Sequence, residues 1–224
     1  MKNSKSISAI FILLTAIIIS SPAFSHMKME NQKNISAESV ATLKANMRQL
    51  WEEHIGWTRN VIFCIVDGLP GSEQAVNRLL KNQVDIGNAI KPYYGDEAGK
   101  KLTELLYPHI TIAAEVVTAA KNGNSAALDE ANKKWIANAN EIAEFLSGAN
   151  PNLPLTEMKQ MMNEHLKLTT DEAVQRIQKY YDADVVAYDN VHKEILEMSD
   201  MLAEGIIKQF PEKFGGGVAS TTGR

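Results

Sequence analysis

The sequence predicts an all-α protein, an antiparallel bundle of about six helices, and three observations carry that reading. Apolar residues recur at spacings of three and four over almost the whole chain beyond Glu30. Alternating β-branched runs bounded by turns, the mark of strands, are absent. Gly- and Pro-containing breaks divide the periodic stretch into segments of helical length.

The first helix is expected from Ser36, a good N-cap, to Asp67, where Gly68-Leu69-Pro70-Gly71 forces a turn. The second runs from Ser72 to Tyr94 and closes at Gly95, with Pro92 disturbing its last turn. The third starts near Asp96 and ends at Lys121-Asn122-Gly123. The fourth spans Ser125 to Ser147, ended by Gly148 and the stretch from Pro151 to Pro154. The fifth begins after Thr156 and ends near Tyr181; the sixth runs from Asp182 to Phe210 and stops at Pro211. The bundle domain is therefore 36–211, between a flexible segment at 26–35 and a disordered tail at 212–224 that holds Gly215-Gly216-Gly217.

The chain has 224 residues, 45% hydrophobic and 22% charged, enough to bury one core or two small ones. With 23 basic and 27 acidic residues the net charge is −4, so no basic field exists to draw nucleic acid. Lys2 and Lys5, the apolar run Ile7 to Ile19 and the small residues of Ser20-Ser21-Pro22-Ala23-Phe24-Ser25 have the layout of a secretory signal peptide over 1–25. Export to the periplasm or beyond is expected, with no stable membrane span after cleavage. The single cysteine, Cys64, lies among Ile62, Phe63, Ile65 and Val66 and reads as a buried apolar thiol.

A short motif recurs. Met47 to His54, Leu102 to His109 and Met158 to His165 align, and the histidines lie 55 and 56 residues apart. That period suits three repeated helical hairpins, since one hairpin cannot bury its own apolar face. A four-helix core with two accessory helices is equally compatible with the pattern.

Helical periodicity places His54 on a stripe with Met47, Leu50, Thr58 and Val61. His109 shares a stripe with Leu102, Leu105 and Ala113, and His165 with Met158, Met162 and Thr169. His192, one turn after Tyr188, lies near the apolar face of the sixth helix and is the fourth candidate ligand. Side chains converging from several helices are how bundles build metal and cofactor sites. Neutral imidazole suits copper, zinc or iron, and Met47, Met161 and Met162 nearby favour copper(I). Haem is a weaker candidate, because Cys-x-x-Cys-His is absent and only non-covalent His and Met ligation remains. Glu53 and Glu164 point about 100° away from their neighbouring histidines, which disfavours a carboxylate-bridged site. The recurring carboxylates Asp85, Glu141 and Glu197 fall off the apolar faces and are expected in solvent.

The opposing reading is that buried histidines are hydrogen-bonded packing residues, that methionines fill gaps, and that Trp51, Trp57 and Trp135 anchor a core. His-Glu-x-x-His, a phosphate-binding Gly-rich loop and Gly-x-Ser-x-Gly are all missing. A hydrolase using metal-bound water lacks inward carboxylates. If cleavage follows Ser25, His26 becomes an amino-terminal copper chelator beside Met27 and Met29. Leu50-Trp51-Glu52-Glu53-His54 with Trp57-Thr58-Arg59, and Glu164-His165-Leu166-Lys167-Leu168-Thr169, resemble an uncharacterised family of bacterial exported helical proteins. The resemblance implies an all-α fold and no particular chemistry. The expectation is an exported binding protein with a transition-metal site at His54, His109, His165 and His192. The alternative is a structural or interaction module of the cell envelope whose buried histidines hold no metal.

Overall fold

The computed structural model describes residues 35–215. The expected signal peptide, the His26 amino terminus and most of the expected tail lie outside those residues. Six helices follow one another: α1 (Ala37–Asp67), α2 (Ser72–Tyr94), α3 (Asp96–Lys121), α4 (Ser125–Ala149), α5 (Leu155–Ile177) and α6 (Tyr181–Gln209), then a short 3-10 turn at Pro211–Phe214. The only β pairing among the described residues is an isolated antiparallel bridge between Ile35 and Gly215.

Local chemistry accounts for the helix ends. Ser36 keeps an extended backbone and its hydroxyl accepts the Ser39 N–H at 3.3 Å, satisfying one orphan donor of α1. Asn124 does the same for α4 through the Ala127 N–H at 3.1 Å. The α1 and α3 ends turn through Gly68 (φ 67°) and Gly123 (φ 63°), left-handed positions where a missing Cβ removes the steric cost. The equivalent turn after α5 uses Lys179 at φ 61°, the one non-glycine with positive φ among the described residues. That turn places the break at 178–180, so α6 starts at Tyr181 rather than after it. Gly148 does not end α4: the helix runs on to Ala149, and the Asn150 N–H still bonds the Leu146 carbonyl.

The antiparallel hairpins α1–α2, α3–α4 and α5–α6 close into a ring. Each helix packs on its neighbours in sequence, and α6 returns to α1. The first helices of the hairpins, α1, α3 and α5, also touch one another across the middle. Three hairpins around a shared interior, not a four-helix core with accessories, is the arrangement. The interior is filled by Met47, Trp51 and Ile55 of α1, Leu102 of α3, Met158 and Leu166 of α5, and Val191 and Ile195 of α6. Each such side chain contributes about 1.5–3 kcal/mol on burial. Where α2 crosses α3, only glycine fits: a Cβ on Gly87 would lie 2.6 Å from the Gly99 carbonyl oxygen.

Two expectations are corrected at the periphery. Residues 212–215 are not a loose tail: Phe214 is buried and stacks on Tyr93 at 5.8 Å, and its carbonyl accepts the Ser36 N–H at 2.6 Å. Cys64 is half-buried rather than enclosed. No helix among the described residues is long and apolar enough to cross a membrane.

Candidate metal centre

His54, His109 and His165 each occupy a place on the inward stripe of α1, α3 and α5, and all three are buried. Because these three helices meet at the centre, their imidazoles meet too. The ring centres of His54 and His165 are 5.7 Å apart, and those of His109 and His165 are 6.2 Å apart.

Each ring is held at Nδ1 by a side chain from the second helix of its own hairpin, 29 residues further on. Gln83 Nε2 lies 3.2 Å from His54 Nδ1, Asn138 Oδ1 lies 3.1 Å from His109 Nδ1, and Glu194 Oε2 lies 2.9 Å from His165 Nδ1. Asn138 is oriented in turn, since its Nδ2 donates to the Leu105 carbonyl at 2.9 Å. Its Oδ1 must therefore accept from His109 Nδ1–H, and the Glu194 carboxylate accepts from His165 Nδ1–H. In both rings the lone pair is left on Nε2. Such partners fix tautomer and ring orientation at metal-ligating histidines. His54 is held in the opposite sense: Gln83 Nε2, which also donates to the Leu79 carbonyl and Asn82 Oδ1, has only hydrogens to offer, so His54 Nδ1 accepts and the ring hydrogen sits on Nε2.

Burial is the first cause that keeps the His54 and His109 rings neutral. It pushes His109 down to about 3, with His165 adding to the effect and the Asn138 hydrogen bond opposing it. His54 is held well below the usual histidine range by burial and then by its two neighbouring imidazoles. Neutral imidazole is the ligating form.

The three rings stand between two cavities and line both. One, of about 70 Å³, has Met47, Trp51, Met162 and Met198 among its walls. The other, of about 90 Å³, lies towards the C-terminal ends of α1, α3 and α5, against Thr58, Val61, Trp135 and Thr169. Met161 is only half-buried.

No group of three His, Cys, Asp or Glu side chains among the described residues is close enough to chelate an ion as it stands. With metal–nitrogen bonds of about 2.0–2.1 Å and near-tetrahedral angles, ring centres would sit roughly 5–5.5 Å apart. The observed spacings exceed this by roughly half an ångström to one ångström, so a closing movement of the inner helices or rings is required.

No family model, curated protein or solved structure matches this chain.

His192 does not join the cluster. Its side chain is 43% exposed, 3.5 Å from Glu52, with its ring stacked on Tyr188 at 6.3 Å, because this edge of α6 faces α1 near the surface. Glu53 pairs with Arg78 at 2.7 Å, and Glu141 and Glu197 face solvent, as expected; Asp85 is half-buried. Sequence reading missed the orienting residues Gln83, Asn138 and Glu194. Their signal was a constant interval of 29 from each histidine, at polar positions inside apolar stripes. It also missed a buried ionic cluster: Arg59 Nη1 bonds Glu172 at 2.5 Å and Asp184 at 2.9 Å, and Arg176 pairs with Asp67 and Asp184. Burial pushes Glu172 up to about 7 although Arg59 pulls it down.

Proposed function

We propose that this chain is a metal-binding protein that holds one transition-metal ion between the buried imidazoles of His54, His109 and His165, with His109 and His165 ligating through Nε2 and His54 only after a change of tautomer. The observation that carries the reading is the meeting of three buried imidazoles from three hairpins, two of them held at Nδ1 by an acceptor that leaves the lone pair on Nε2. Zinc, copper and iron all accept three imidazoles; Met47 and Met162 in the adjoining cavity would favour copper(I). Cavities of about 70 and 90 Å³ are far too small for a porphyrin, which weighs against haem.

The recurrence of histidine, left-handed turn and orienting residue at matching intervals supports an origin by triplication of a hairpin. With the signal-peptide reading of 1–25, the site would operate outside the cytoplasm. The test is metal analysis of protein purified without chelators, followed by titration with zinc, copper(I) and cobalt(II). One equivalent bound, and its loss in His109→Ala, is the expected outcome. The spacing of the rings favours a second reading, in which the histidines only pack and hydrogen-bond. That reading requires that no metal raise the melting temperature, whereas a bound ion raises it with concentration.

A further inference from the structure

Several unpartnered buried polar atoms remain among the described residues, and two of them belong to walls of the same cavity. Trp135 Nε1 and Thr169 Oγ1 have no hydrogen-bond partner there, and both side chains line the 90 Å³ space beside the histidines. Trp135 is 4% exposed and Thr169 3%. The hydroxyls of Thr58 and Thr170, in the same wall, are by contrast engaged by the carbonyls of His54 and Leu166, each at 2.8 Å. A buried donor left without an acceptor is costly, so Trp135 and Thr169 point to a guest that meets them.

We propose that this cavity is a binding site for a short uncharged alcohol of two or three heavy atoms. The inference needs no bound ion and stands on the cavity walls alone. An indole N–H can only donate, so the guest must present an acceptor to Trp135. The walls accept as well: the rings of His109 and His165 line the space, each with its Nδ1 hydrogen engaged and a lone pair left on Nε2. A hydroxyl is the smallest group that answers both, since one oxygen accepts and donates. The same walls select against charge. No Asp, Glu, Lys or Arg lines the cavity, and the buried His54 and His109 rings stay neutral, so an ion there would have no counter-charge. Size limits the guest further: about 90 Å³ corresponds to roughly three waters at about 30 Å³ each. Val61, Ile110 and Val117 make the rest of the wall apolar, which favours one or two carbons over a second and third water.

The experiment titrates the full chain, freed of metal with a chelator, with ethanol. NMR follows the Trp135 indole N–H and the methyl groups of Val61 and Val117, and xenon and acetate are the comparison guests. Ethanol is expected to shift these resonances saturably with a Kd on the order of 1 to 10 mM, which three heavy atoms allow. Acetate should not bind. Thr169→Val, which keeps the shape and removes the hydroxyl, should weaken ethanol about fivefold and leave xenon unaffected, and Trp135→Phe should do likewise. Thr58→Val, whose hydroxyl is already engaged, should leave ethanol affinity as it is. Resonances that fail to move, or that move without saturating, overturn the inference. Ethanol affinity equal in Thr169→Val and the parent protein, the mark of a merely apolar void, overturns it too. So does acetate binding more tightly than ethanol, a comparison made in the parent protein and independent of whether either variant folds.

Discussion

At the scale of single residues, the histidines were legible because a polar ring on an apolar stripe must turn inward, whereas their partners were not. A search for recurring carboxylates selects Asp85, Glu141 and Glu197, two or three positions past the orienting residues and turned away from the rings. Wheel geometry likewise could not separate the core-facing edge of α6 from the surface edge that carries His192. On the metal-binding reading the orienting role is measurable: Asn138→Ala should weaken metal affinity about 10- to 100-fold in a chelator-competition titration while leaving all three histidines in place. Protonation gives a second measure, in metal-free protein. His54 and His109 have lowered folded values, so below about 6.5 the unfolded chain takes up protons that the folded chain refuses. Their contribution is complete above that pH and is lost as pH falls below it, towards about 3 for His109. Glu172 has the opposite sign. Its folded value of about 7 means that its contribution is present below about 4.5 and lost as pH rises through 7. Between 6.5 and 4.5 Glu172 therefore offsets part of the histidine loss. Denaturation at a series of pH values should show stability falling with acid, and more steeply over that interval in Glu172→Gln.

At the scale of elements, the helices follow closely from periodicity and punctuation: α2 and α3 begin and end where Gly71, Gly95 and Gly123 require. The errors came where punctuation was ambiguous. Gly148 is helical because the chain is stopped two residues later, by Pro151 beyond Asn150, and the α5–α6 turn lacks the glycine that marks the other two. Its left-handed residue, Lys179, is the fourteenth after His165, as Gly68 is after His54 and Gly123 after His109. A lysine there carries a conformational cost of about 1–2 kcal/mol, against the greater freedom that glycine loses from the unfolded chain. Lys179→Gly should thus stabilise the protein by roughly 0.5–1 kcal/mol, read as a higher denaturation midpoint, with metal affinity unaffected.

At the scale of the molecule, an amphipathic stripe tells that a helix has an inner face but not which neighbour covers it, so three hairpins and a four-helix core with accessories looked alike. Contact among α1, α3 and α5 is what distinguishes them. The C-terminal boundary was misread because three glycines beginning at Gly215 masked the apolar residue just before them. Phe214 closes the end of the bundle against Tyr93, and Phe214→Ala should cost about 3–5 kcal/mol in chemical denaturation. The ring of hairpins has a mechanical corollary. The connection from Asn150 to Pro154 joins two hairpins and parts no imidazole from the residue that orients it. A chain cleaved there would keep two ligands on one fragment and one on the other, each already aligned. On the metal-binding reading, an ion held by them would act as a rivet between the pieces, and stripping it would let them separate.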